Sequence, residues 1–312
     1  MKKILIFLFS FFVGLSFTCS PVFPWGSATH AYIGDHIGKI FGLRNSNEIY
    51  GSMLPDLFNY MFELEGTDLY FYFCAHTHGF PGQENFMKVW YKAKWWGYQK
   101  SIAYGFVSHN DVWGADSTAH YASRTLNPEE GWVVTKSKEL EQLLSGSFDD
   151  IGLGGEEYYE LRVELCHSII ETAGDIIIKR VDNKIGSKIL FSAMFRTPQC
   201  PTLLINAIGE AYRDIIKQAE NEFRKMMILY GQALMQDEDT AIKLIAEQMA
   251  NLAEEYLKNK GIELPSGIEL KSLIEDALQT AISLIKDDYM KEVEATIEYI
   301  KVNLWKHRVF YF

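Results

Sequence analysis

Apolar residues recur every three to four positions through most of the chain, and alternation of period two is scarce. That spacing predicts helices rather than strands. It is clearest over residues 202–236 and returns over 240–258 and 270–301, each a stripe that a helix turns toward one face. The stripes stop in segments rich in Gly, Pro or Asp: SGSFDDIGLGG at 145–155, Thr197-Pro198, and NKGIELPSG at 259–267. The expected fold is all-α, a helical bundle with residues 201–312 as a C-terminal helical extension. That last third is heavy in Glu and Lys and holds one histidine, His307, which suits scaffold or interaction surface.

The chain opens on a different pattern. Lys2 and Lys3 precede a largely apolar run over residues 4–17, the length of a signal-peptide core and shorter than the roughly 20 residues of a membrane span. Residues 1–24 are therefore read as a signal peptide, and the protein as exported to a periplasm or secreted. With 312 residues, 48% of them hydrophobic, the rest can bury one substantial core or two modest ones. Processing after residue 24 removes Cys19 and leaves Cys74, Cys166 and Cys200, so a disulfide framework does not explain the fold. It also lowers Lys+Arg from 30 to 28 against 41 Asp+Glu, a net charge of −13. Such a chain lacks the broad positive surface that duplex nucleic acid needs.

Chemistry concentrates in the histidines. Seven of the eight lie in the first 167 residues, and six of those stand beside carboxylates or other histidines at ligand-like spacings. In order the candidates are His30; Asp56 in GSMLPDL; His76 and His78 in CAHTHG; His109, Asp111 and Asp116 in GFVSHNDVWGADSTAH; His120; and His167 with Glu171 in ELCHSIIETAGD. His167 and Glu171 are four apart, so a helix puts both on one face, with Glu164 and Asp175 on the same stripe. Asp116 and His120 share that spacing. Imidazole mixed with carboxylate suits zinc, and a zinc site with an open position can activate water. GLGG near residue 153 lacks the Lys-Ser/Thr of a phosphate loop.

Together these residues resemble the zinc-dependent phospholipase C family, which includes the fungal zinc nucleases that cut single-stranded nucleic acid. The resemblance covers roughly residues 25–175 and implies a catalytic domain over 25–200. In that family the mature N-terminus is a tryptophan whose α-amino group and carbonyl oxygen bind a zinc together with a nearby histidine. WGSATH, with Trp25 and His30, is similar to that motif. The Pro-Asp of PDL at 55–57 and the histidine of HTHG resemble further ligands, His76 and His78 being alternatives for one role. GFVSH…ADSTAH is similar to the segment that carries ligands to all three metals. The resemblance implies that His109 binds the first zinc, that Asp116 bridges two, and that His120 binds the remaining one with His167 and Glu171. The family usually has His-x-x-x-Asp, whereas His109 and Asp116 are seven positions apart. Asp111 is thus a rival for the bridge.

The resemblance implies two or three Zn2+ ions and hydrolysis of a phosphodiester, with Asp56 as a metal ligand or as the group that orients or deprotonates the water. Paired zincs about 3.5–4 Å apart can lower the pKa of a water to about 7 and clamp phosphate oxygens. A phospholipid is the expected substrate, a zwitterionic one given the acidic charge, with peripheral membrane contact as an accompaniment. Aromatic residues crowd between the ligands: Tyr70-Phe71-Tyr72-Phe73, Trp90-Tyr91 and Trp95-Trp96. They are expected chiefly to fill the core around the metals; a lipid–water boundary and base stacking are the other uses. The alternatives are a single-strand nuclease-like phosphodiesterase and a non-catalytic, zinc-stabilised exported helical protein.

Overall fold

The apolar stripes become helices whose ends fall at the polar breaks. The structure is a computed structural model in which residues 26–39, 41–61, 64, 67–259, 261–262, 265 and 267–311 are described. Residues 1–24, read above as a signal peptide, and Trp25 lie outside them. Among the described residues fifteen α-helices follow one another: α1 Ser27–Ile37, α2 Gly42–Met53, α3 Asp68–Thr77, α4 Met87–Lys92, α5 Gln99–His109, α6 Ala115–His120, α7 Trp132–Leu143, α8 Ser145–Asp150, α9 Tyr159–Val181, α10 Ile185–Phe195, α11 Cys200–Ile208, α12 Arg213–Leu234, α13 Glu238–Asn259, α14 Leu270–Ile285 and α15 Tyr289–Lys306. A 3-10 helix, Leu54–Tyr60, follows α2 directly. Among the described residues the protein is all-α, with one isolated bridge between Phe80 and Gln83.

Two of the long stripes hide breaks. Residues 202–236 are divided at Gly209, whose φ of +152° is a conformation that side-chain-bearing residues rarely adopt. Residues 270–301 are divided at Lys286-Asp287-Asp288. In both places the flanking helices turn their apolar residues to the same core. The spacing therefore carries on across the break, and periodicity alone does not reveal it.

α2 packs on α5 and α1, α10 on α12, and α9 on α7 and α14. One hydrophobic core runs from Ala28, Tyr50 and Phe106 through Ile170 and Ile176 to Leu278, Val293 and Leu304. The C-terminal helices thus share the core of the histidine-bearing ones. Cys74, Cys166 and Cys200 are buried and free. Among the described residues no helix is long and apolar enough to cross a membrane.

Candidate metal centre

The site begins with the capping of α1. The first N–H groups of a helix have no partner within it, and here a carboxylate from α9 supplies one. Asp175 Oδ2 accepts from Ala28 N–H and Oδ1 from Thr29 N–H, both at 2.8 Å; the Thr29 hydroxyl also donates to Oδ1, and the Tyr230 hydroxyl to Oδ2 at 2.7 Å. Gly26 makes this approach feasible, because a Cβ there would lie 2.5 Å from the Asp175 carboxylate. The glycine of WGSATH therefore has a packing reason, and the cap fixes where His30 stands on α1.

A second close approach aims His109. A Cβ on Gly105 would lie 2.0 Å from the carbonyl oxygen of Glu48, so glycine lets α5 run against α2 almost backbone to backbone. His109 Nδ1 then donates to the Ser52 carbonyl oxygen at 2.8 Å. That fixes the tautomer and turns Nε2 toward the cluster, as the outer hydrogen bond of a metal-ligating histidine does. The residues after His109 form a tight turn. Asn110 Oδ1 accepts the N–H groups of Val112, Trp113 and Gly114, and Asp111 N–H donates to the His78 carbonyl oxygen at 3.0 Å. This turn absorbs the long His109–Asp116 spacing and returns the chain so that α6 starts beneath His109.

Three groups of ligand-type atoms result, in each of which one atom per residue lies within 4.8 Å of the others: His30, His109 and Asp116; Asp56, His78 and His109; His120, His167 and Glu171. Asp116 is shared in space, with Oδ1 3.3 Å from His30 Nε2 and Oδ2 2.7 Å from His109 Nε2 and 3.7 Å from His78 Nε2. Asp56 Oδ1 lies 3.3 Å from His78 Nε2 and 3.5 Å from His109 Nε2, and Asn59 donates to it at 3.1 Å. His167 Nε2 lies 2.8 Å from Glu171 Oε1. All but His120 are buried, and His120 is largely so.

The polar atoms are close without being satisfied. His30 Nε2, Asp56 Oδ2, both carboxylate oxygens of Asp116 and of Glu171, and His167 Nε2 make no hydrogen bond, despite the short His109–Asp116 and His167–Glu171 separations. Such groups are costly to bury unpaired. Donor and acceptor lie side by side instead of pointing at one another, as ligands of a common cation do. The residues present therefore fit divalent cations, and several buried His/Asp groups could hold a metal ion.

The electrostatics point the same way. Burial, with His109 beside it, pushes the His30 imidazole below its usual range. Burial opposes charge on His109 too, but Asp116 and Asp56 overcome it and hold that ring well above the ordinary value. Burial also opposes ionisation of Asp56 and Asp116, yet His109 and its neighbours hold both carboxyls low. In the third group burial and the carboxylates of Asp56, Asp116 and Asp175 push Glu171 well up, while burial and His120 push His167 well down. Both shifts favour the neutral forms, and a cation held between the two side chains would oppose them.

Nine of the ten metal-ligand candidates are described, and eight of these fall in the three groups. His76 does not, whereas its alternative His78 does. At the end of α3, His76 gives Nδ1 to the Tyr72 carbonyl oxygen at 2.8 Å, and Nε2 stands 3.3 Å from the Lys88 ammonium, a position hostile to a second cation. Asp111, the rival to Asp116, accepts from His120 Nδ1 at 2.7 Å and lies outside all three groups. Asp175, expected on the His167–Glu171 stripe, caps α1 instead. Asn59, three residues after Asp56, was not singled out by any spacing. The aromatic segments divide: Tyr70, Phe73 and Trp90 are buried as core, whereas Tyr91, Trp95 and Trp96 are 71%, 64% and 61% exposed. Comparison of the chain with protein-family models, with curated proteins and with solved structures returns no match.

Proposed function

We propose that the chain is a zinc-dependent phosphodiester hydrolase that acts on phospholipids in the manner of a phospholipase C. The observation that carries this is the placement of Asp116 between His30 on one side and His109 and His78 on the other, with His120 on the same helix reaching a third group. Such a carboxylate suits two neighbouring ions, and the mixture of imidazole and carboxylate suits zinc. The first group would hold one zinc with the α-amino group and carbonyl of Trp25 after removal of the leader, since an α-amino pKa of about 7.7–8.0 lets a metal displace its proton. Asp56, His78, His109 and Asp116 would hold the second, and His120, His167 and Glu171 the third.

When bound, zinc supplies positive charge to phosphate oxygens and lowers the pKa of a nearby water to about 7. The chain's own residues position the reactants. Asp56, held ionised by His109 and His78 and steadied by Asn59, accepts a hydrogen bond from the attacking water. The water oxygen bonds to phosphorus, the P–O bond to the glycerol breaks, and that oxygen takes a proton and departs as diacylglycerol. The exposed Tyr91, Trp95 and Trp96, with Lys92 and Lys94 among them, suit a lipid–water boundary. The net charge, −13 once the leader is removed, counts against polyanions and anionic membranes and favours a zwitterionic headgroup.

Elemental analysis and parallel assays on phosphatidylcholine and single-stranded DNA test the reading. Two or three zincs per chain and chelator-sensitive release of diacylglycerol are expected. Cleavage of the DNA alone would make it a nuclease, and one zinc or none without either activity would make it a non-catalytic protein.

A further inference from the structure

The C-terminal helices do more than complete the core. Between α7–α9 and α13–α14 lies a cavity of about 460 Å³, within the range of pockets that enclose small organic ligands. Its wall is formed chiefly by Phe148, Leu165, Ile169, Leu252, Ile274 and Ala277. The two charged residues lining it, Glu164 and Asp276, are both acidic, so the lining offers an anionic ligand no cationic partner and suits a neutral hydrocarbon.

The cavity runs toward the candidate metal centre. Asn59, Ser168 and Thr172 line it; Asn59 donates to Asp56 at 3.1 Å, and Ser168 and Thr172 directly follow His167 and Glu171 in α9. A smaller cavity of about 70 Å³, lined by Gly26, Ser27 and Glu171, shares Thr172, Met249 and Leu252 with the large one. A chain of apolar space thus adjoins the carboxylate of one ligand group, with polar side chains where the two regions meet.

We infer that this cavity is an acyl-chain subsite: it takes a hydrocarbon tail of a glycerophospholipid whose phosphodiester lies at the ligand groups, and α13 and α14 are its outer wall. The inference rests on the phosphodiesterase reading for the identity of the headgroup. The occupant is a neutral chain tethered to a phosphate, because the wall is apolar, its charges are negative, and its polar end abuts the ligand groups that would hold the phosphodiester.

The test compares kcat/KM of the full protein on monomeric phosphatidylcholines of increasing acyl length and on p-nitrophenyl phosphorylcholine, which has no tail. Each methylene should raise kcat/KM roughly fourfold until the cavity is full. Ala277→Trp, which fills the cavity, should lower the ratio of dihexanoyl to tail-less substrate at least tenfold. Ala277→Leu, a gentler filling, should bring the plateau to a shorter chain. Hydrolysis of the tail-less substrate with no dependence on chain length, or an unchanged plateau in Ala277→Leu, would overturn the subsite and leave the phosphodiesterase reading standing. If neither substrate is cleaved, that reading fails separately, and binding decides. N-phenyl-1-naphthylamine fluorescence that dioctanoylglycerol displaces from the wild type, and that is lost in Ala277→Leu or Ala277→Trp, supports the apolar subsite; no displaceable binding overturns it.

Discussion

His109 Nε2 and Asp116 Oδ2 lie 2.7 Å apart and do not hydrogen-bond to one another, while Asp116 Oδ1 faces His30 at 3.3 Å. One carboxylate thus presents an oxygen to each of two groups, and Asp111 presents its own to the back of His120. Asp116→Asn should remove two ions from the metal count. Asp111→Asn should keep the count under excess zinc and weaken one site roughly 10- to 100-fold. Zinc titration of the two variants checks this, and the larger loss in Asp111→Asn would reverse the assignment.

His167 and Glu171 serve one ion if the third group is a site. His167→Ala and Glu171→Ala should each lower zinc content by the same single ion, and the double variant should lose little more than either, a coupling of about 0.5–3 kcal/mol in a double-mutant cycle. Additive losses of stability with the full zinc content would mark them as a helical pair only.

Two histidines in CAHTHG offer a contrast within one hexapeptide. His78→Ala should lower metal content and abolish hydrolysis, whereas His76→Ala should leave the metal content at the wild-type value, since its Nε2 faces Lys88. Inductively coupled plasma analysis of both variants is sufficient.

Burial raises the Asp175 carboxyl from 3.8 to about 6, against the opposing hydrogen bonds from Ala28, Tyr230 and Thr29. Because the folded chain holds this proton more tightly than the unfolded one, the contribution of Asp175 to stability is greatest below the unfolded value. It declines as pH rises through about 6, by roughly 3 kcal/mol in all. Asp175→Asn should remove that decline in metal-free protein. Urea midpoints for both proteins between pH 4 and 7 measure it, and parallel curves would show that the charge is immaterial.

Chelation should cost stability as well as activity, because ligands drawn from five segments meet only in the folded chain. The melting temperature should fall on treatment with chelator and recover with added zinc. Identical melting with and without metal would argue against a centre that helps hold the fold.

The amino-acid sequence determined the all-α class, the clustering of chemistry in the first 167 residues and the pairing of His167 with Glu171, because helical period and an i, i+4 spacing are short-range properties that survive in any packing. The tertiary structure decided the rest. Asp175 meets Ala28 across 147 residues, so its capping role was invisible in a spacing that only placed it on the stripe of His167 and Glu171. His78 was separated from His76 by the end of α3 and the position of Lys88, and Asp116 from Asp111 by the Asn110 turn. Neither depends on residue type or spacing. The break at Gly209, the exposure of Trp95 and Trp96 beside the buried Trp90, and the cavity under α13 and α14 likewise follow from which faces find partners. Hydrophobic pattern records how much apolar surface a segment carries; packing decides what that surface touches.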